Sequence, residues 1–263
     1  MVYMERGLGC KPLAVAFALC CLGASLGMGN MVQGNAMAKG LEHAFHVPPF
    51  VSGVLCTIGV AVVITGGMKR IAGLTEKLVP FMAVLYLGGA IGVLFVFRKE
   101  IPGAFALIFS EAFGLRQAVA GGIGAVIMNG VKRGLFSNEA GSGSAPCAAA
   151  TAKTDHPAKV GLVQALGVFI DTIVICSCTA FLMLLAPDEI TGSLAGMDLL
   201  QAAMGYHLGK FGVIFIAVIL WLFSFSTFLG ILYYARSNVS YLFGDSWAAQ
   251  TAYKVLALVM LFI

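Results

Sequence analysis

Seven apolar runs, each near the length that crosses about 30 Å of hydrocarbon, leave this chain few ways to fold. They lie at roughly 12–36, 50–66, 78–97, 118–135, 160–186 and 211–235, with a last run starting near 248. Lipid offers a peptide group no hydrogen bond, so such runs cross as α-helices, whose backbone bonds close internally. Composition agrees: 60% of the 263 residues are hydrophobic and only 11% are charged, against about 25% charged in soluble domains. The expected class is all-α, a polytopic membrane protein forming one transmembrane domain over 1–263.

The charge pattern narrows the partners and sets an orientation. The formal net charge is +4, and Lys and Arg stand mostly between the runs. No basic run is interleaved with aromatics, so no nucleic-acid partner is expected. Cys10, Cys20, Cys21, Cys56, Cys147, Cys176 and Cys178 lie mostly in apolar runs, with neither CxxC spacing nor a disulfide framework. Arg6 and Lys11 ahead of "PLAVAFALCCLGASLG" imitate a signal peptide. That run is too long and lacks an A-x-A site, so it reads as a retained first helix. Cations gather before the first run, in "GGMKRIAGLTEK", in "AKTDHPAK" and at Arg236, which places the N-terminus in the cytoplasm. "GGMKRIAGLTEK" reads as the connection between the second and third spans. "IPGAFALIFSEAFG" carries Phe105, Ile108, Phe109 and Phe113 at helical spacing, and so reads as an amphipathic helix along the interface.

Polar residues inside the spans mark candidate sites. In "GASLGMGNMVQGN", Gly23 and Gly27 form a small-xxx-small pair that admits another backbone. Asn30, Gln33 and Gly34 share one face, which fits either hydrogen bonding between helices or a pocket wall. In "GLVQALGVFIDTIVICSC", Gln164, Gly167, Asp171 and Cys178 form a stripe. A carboxylate at that depth marks a polar centre, either functional or anchoring irregular backbone nearby. In "LWLFSFSTFLG", the hydroxyls of Ser224, Ser226 and Thr227 either bond their own helix or present oxygens to a small cation.

The fourth run is the least like a membrane helix. "SNEAGSGSAP" interrupts it before "CAAATAK" resumes helical composition. Ser, Asn and Gly weaken helical bonding, while Pro146 suits the first turn of a restarting helix. The reading is a discontinuous helix over 118–152 with its break at about 136–144; the alternative is an ordinary loop joining two short helices. Broken backbone at membrane depth survives only inside protein or beside a wet cavity. There its freed N–H and C=O groups could face a zwitterion and a cation.

The stretch "GLFSNEAGSGSAPCAAATAKTDHPAKVGLVQALGVFIDT" resembles the signature region of the alanine or glycine:cation symporter family. "YMERGLG", "GMGNMVQGN", "GGMKRIAGLTEKLVPFMA" and "FSFSTFLGILYYAR" look like successive segments of the same family. The resemblance implies a partial leucine-transporter-like fold of inverted repeats, with the first run, the break and the sixth run similar to its third, sixth and eighth helices. It implies sodium-coupled import of alanine or glycine (sometimes with H⁺) across the plasma membrane, with Na⁺ as coupling ion and no cofactor. The partners implied are a small amino acid, sodium and the lipid bilayer. By that resemblance Ser137, Asn138, Glu139, Ala140 and Gly141 contact substrate, and Asn30 and Gln33 line the pocket. Ser226 and Thr227 form the hydroxyl side of a sodium site. Asp171 matches the family's "FIDT", from which no role follows. The family's first two helices and its last ones have no counterpart here, so the chain reads as an internal piece; a non-transporting fragment or a channel-like pore is the alternative. No enzyme is expected: the serines of "AGSGSAP" do not stand in a G-x-S-x-G pattern, and the four histidines fall in connections.

Overall fold

The computed structural model describes residues 1–113, 123–139, 141–150 and 152–262. Regular structure among these residues is helical throughout. Residues 118–122 of the fourth expected span and the candidate site residue Ala140 lie outside the described residues.

Helix α1, Lys11–Phe45, is a single 35-residue span whose middle, Ser25–Met31, is wound as π-helix. It stops at His46, which turns left-handed (φ 55°) and donates its N–H to the Glu42 carbonyl at 2.9 Å. Pro49 then opens α2, Pro49–Thr65, because its fixed φ fits a first helical turn. Helix α3 is Gly67–Val96, with Pro80 inside it. The expected connection "GGMKRIAGLTEK" is therefore corrected to a one-residue corner followed by helix. Gly67, at φ 75°, makes the turn. Ile71, Leu74 and Leu78, at helical spacing, carry the new turns into the core despite their charged neighbours.

Helix α4, Ile101–Phe113, covers the aromatic segment. Helices α5, Ile123–Ser137, and α6, Ser144–Ala149, flank the interruption discussed below. Helix α7, Pro157–Leu184, starts with Pro157 after His156, whose Nδ1 accepts the Ala158 N–H at 3.2 Å. It too carries a π-helical stretch, Ile170–Ile175. Helix α8, Met197–Phe243, reverses at Gly209 (φ 61°, ψ −146°). Across that reversal, a Cβ on Gly212 would stand 2.1 Å from the Met204 carbonyl oxygen, so a side chain is excluded. Residues 197–208, expected as a connection, are helical because Leu200, Gln201, Ala203 and Met204 form a buried stripe. The sixth span likewise runs past Arg236 to Phe243, with Asn238 and Val239 buried. Helix α9 is Trp247–Phe262.

By length and apolarity Lys11–Phe45, Arg70–Val96, Pro157–Leu184 and Met197–Phe243 are each able to cross a membrane; α2 and α9 are apolar but shorter. The most apolar stretch of α7 is only 11% buried, which fits a helix solvated by lipid. These helices are those of an integral membrane protein. The chain divides into two compact units, Met1–Leu85 with Val213–Ile263, and Tyr86–Gly212. In the first, Met37, Val60, Ile64, Phe228, Leu229 and Leu261 centre a core on which Trp221 stacks against Phe225 at 5.2 Å. In lipid such cores hold by close van der Waals fit rather than by exclusion of water. In the second, Phe105 packs on Phe181 at 4.8 Å, the Tyr86 hydroxyl bonds Thr179 Oγ1, and His207 Nε2 donates to the Leu182 carbonyl at 2.8 Å.

Candidate functional site

In the second unit the helix stops at Ser137 and restarts at Ser144. The turn between them places Glu139 (φ 48°), Gly141 (φ 85°) and Gly143 (φ 82°) in the left-handed region. Glycine enters that region freely, whereas Glu139 does so at a cost of about 1–2 kcal/mol. The freed groups are partly closed on themselves. Gly134 O accepts both the backbone N–H of Asn138 at 3.1 Å and its side-chain Nδ2 at 3.0 Å. Ser142 Oγ donates to the Glu139 carbonyl at 2.7 Å and accepts the Ser144 N–H at 3.5 Å. The expected bare amides at the start of α6 are to that extent capped.

What holds this turn is the π-helical stretch of α7. Ser137 Oγ donates to Asp171 Oδ2 at 2.7 Å and lies 3.6 Å from Cys176 Sγ. Thr172 Oγ1 donates to Asn138 Oδ1 at 2.9 Å. Single-turn π-helices displace neighbouring side chains from the α register, and they recur at functional sites. Here one presents Asp171 and Thr172 together to the end of α5. Asn138 is satisfied at both ends of its amide and so acts as a strut. Asp171 is half-buried, with Oδ1 making no hydrogen bond among the described residues, so the carboxylate keeps an acceptor for a cation or an ammonium group. Thr172 and Cys176 were not among the residues expected at the site. Thr172 follows Asp171 directly in "FIDT", which is the one signal that could have pointed to it.

In the first unit, Asn30 is 1% exposed, and its Nδ2 donates across to the Ala257 carbonyl of α9 at 3.3 Å. Its Oδ1 is buried with no hydrogen-bond partner among the described residues. Gln33 is half-buried on the same helix. Close approach occurs at Gly29 and Gly34 rather than at the Gly23 and Gly27 pair. A Cβ on Gly29 would meet Ile231 Cδ1 at 2.6 Å and one on Gly34 would meet Leu261 O at 3.3 Å, whereas Gly23 and Gly27 face open space. Ser226 Oγ and Thr227 Oγ1 donate to one carbonyl, Phe223 O, at 2.9 and 2.8 Å. Such back-bonding spends the hydroxyl protons but leaves oxygen lone pairs, the atoms a hard cation takes. No group of three or more His, Cys, Asp or Glu side chains able to hold a metal occurs among the described residues.

Comparison with known proteins points to one family. A model of the sodium:alanine symporter family matches residues 1–263. The chain is 44% identical, over 91% of its length and 50% of the relative's, to the "Probable sodium/glutamine symporter GlnT" of Bacillus subtilis. It is 41% identical to the amino-acid carrier protein AlsT of the same organism, over 98% of this chain and 55% of AlsT. It is 43% identical to the sodium/alanine symporter AgcS of Methanococcus maripaludis, over 91% of this chain and 53% of AgcS. The chain spans about half the length of these curated relatives.

Proposed function

The chain belongs to the sodium:alanine symporter family, and from that premise we propose that it serves sodium-coupled movement of a small neutral amino acid, alanine or glycine, across the plasma membrane. The reading makes it part of a leucine-transporter-like fold, with the interruption between Ser137 and Ser144 at membrane depth beside the solute's path. The observation that carries it is the pairing of that interruption with Asp171 and Thr172. A helix end with left-handed turns is held by a carboxylate that keeps an acceptor for a positive group. Relatives of this chain are named for alanine and for glutamine, so the class of solute is supported more firmly than its side chain.

In this reading the turn residues Ser137, Asn138, Glu139, Ala140 and Gly141 meet the amino acid's backbone groups. Within the first unit, Asn30 and Gln33 are substrate-contacting residues, with Asn30 Oδ1 as the acceptor still to be satisfied. Ser226 and Thr227 offer lone pairs to Na⁺. Asp171 holds Ser137 in place and contributes charge.

The test is uptake of labelled alanine and glycine into proteoliposomes holding this chain, with and without an inward sodium gradient. Saturable, gradient-dependent accumulation is expected, with losses of ten-fold or more, about 1.4 kcal/mol, in Asn138→Ala and Thr227→Ala. Uptake that ignores the gradient would favour a pore, and unchanged uptake in both variants would remove these residues from the site.

A further inference from the structure

A cavity in the first unit is lined by cations without acids. It is small, opens to the outside, and is bounded by Ile64, Gly67, Ile71 and Leu232 together with Arg236 and Lys254; Gln250 and Tyr253 complete the lining. The polar lining residues are not equally available. Gln250 Nε2 is committed to the Arg236 carbonyl at 3.3 Å and to Ser240 Oγ at 3.0 Å. The Tyr253 hydroxyl bonds Ser25 Oγ. Arg236 and Lys254 are both half-buried, and neither forms an ion pair among the described residues.

None of the acids of this unit lines the cavity. Glu5 accepts the Tyr241 hydroxyl at 2.7 Å, and Asp245 accepts Ser240 Oγ at 2.8 Å. A third cation of this unit is exposed and does not line the cavity. Arg70 folds back over Gly66, so that a Cβ there would lie 2.1 Å from Arg70 Cδ. Half-burying a cation costs free energy unless something opposes its charge. Here two cations share one cavity with no carboxylate, which calls for an anion from outside the chain. The cavity also sits where cations gather along the sequence, at "GGMKR" and at Arg236.

We propose that this cavity binds a phosphate group, carried by an anionic phospholipid headgroup or free in solution, between Arg236 and Lys254. A guanidinium binds phosphate oxygens in pairs, and an ammonium adds a compact charge beside it. Basic pockets between membrane helices on the cation-rich side suit such headgroups. Leu232, Ile64 and Ile71 give the cavity an apolar wall against which acyl carbons can lie. The proposal needs only the first unit as described, so its failure leaves the transport reading where it stands.

The test uses the whole chain, purified in a neutral detergent and followed by thermal unfolding. Short-chain phosphatidylglycerol is expected to raise the midpoint, and phosphatidylcholine of equal chain length is not. Inorganic phosphate is the third arm. A rise with phosphatidylglycerol alone assigns the site to lipid, an equal rise with phosphate assigns it to the free ion, and either supports the site. Arg236→Gln and Lys254→Gln should each need about five-fold more ligand for the same rise. Arg236→Lys keeps the charge and should keep the response, which separates lost binding from lost folding. Lys77→Gln, an exposed cation away from the cavity, should behave as the parent chain. The proposal is overturned if neither anion moves the midpoint, if phosphatidylcholine acts as strongly, or if both Gln variants respond like the parent.

Discussion

At the scale of single residues, the turn after α5 rests on backbone that only some side chains permit. Gly143 sits at φ 82° as the residue before α6 and leads into Ser144. An Ala there must enter the left-handed region at a cost of about 1–2 kcal/mol. Gly130, by contrast, is helical and exposed, with nothing within 4 Å of an added Cβ. Ala in place of Gly130 should stabilise by up to about 1 kcal/mol, because glycine is the weaker helix former. The same substitution thus has opposite signs thirteen positions apart in the chain. Thermal unfolding of Gly143→Ala and Gly130→Ala measures both. A fall in both midpoints would mean that Gly130 does more than wind the helix, and no fall for Gly143→Ala would mean the turn is not held as described. The residues of this turn are legible in the sequence, since "SNEAGSGSAP" is unlike anything around it. Their partners are not. Thr172 reaches Asn138 from 34 positions away, and Asn30 reaches Ala257 across 227, and no local pattern encodes either meeting.

At the scale of elements, apolar length located the spans while charge density misplaced their ends. Residues 67–77, with their Lys, Arg and Glu, and residues 197–208 were expected as connections. Yet each buries an apolar stripe at helical spacing, Ile71 with Leu74 and Leu78, and Leu200 with Ala203 and Met204. Charges on the other face do not oppose a helix that has a stripe to bury. The π-helical stretches were also not legible, since a one-residue change of register leaves the apolar count unchanged. In α1 its use is close packing. Gly29 lies within the π stretch, and a Cβ there would stand 2.6 Å from Ile231 Cδ1 and 2.9 Å from Cγ2. The contact is with a side chain of α8, so it can be relieved from the other side. Gly29→Ala should destabilise by about 1–3 kcal/mol through overpacking. Adding Ile231→Ala should recover part of that loss although it is itself destabilising alone, a coupling of contacting residues. A thermal double-mutant cycle checks this; strictly additive losses would show that α1 and α8 do not meet at Gly29.

At the scale of the whole chain, the expected topology follows from alternating cations and makes one prediction that single helices cannot. If the N-terminus is cytoplasmic and α4 lies along the interface rather than across it, the connection after α1 faces outward. The stretch between α6 and α7 then faces inward, and the one after α7 faces outward again. Exposed positions sample each: Glu42 near the end of α1, Lys153 before α7 and Glu189 beyond it. Replacing each with cysteine, in a background lacking the seven native ones, allows labelling by a membrane-impermeant maleimide in intact cells. Positions 42 and 189 should react without permeabilisation, and position 153 only after it. Because α4 lies between positions 42 and 153, a crossing α4 would invert the last two results while leaving the first unchanged. That pattern would put the turn at Ser137–Ser144 on the other half of the membrane path and reverse the direction from which a solute meets Asp171. Reaction of all three from outside would mean that α7 does not cross at all. Its thinly buried apolar surface would then need a protein partner in place of lipid, and an interruption held by its π-helical stretch could not lie at membrane depth.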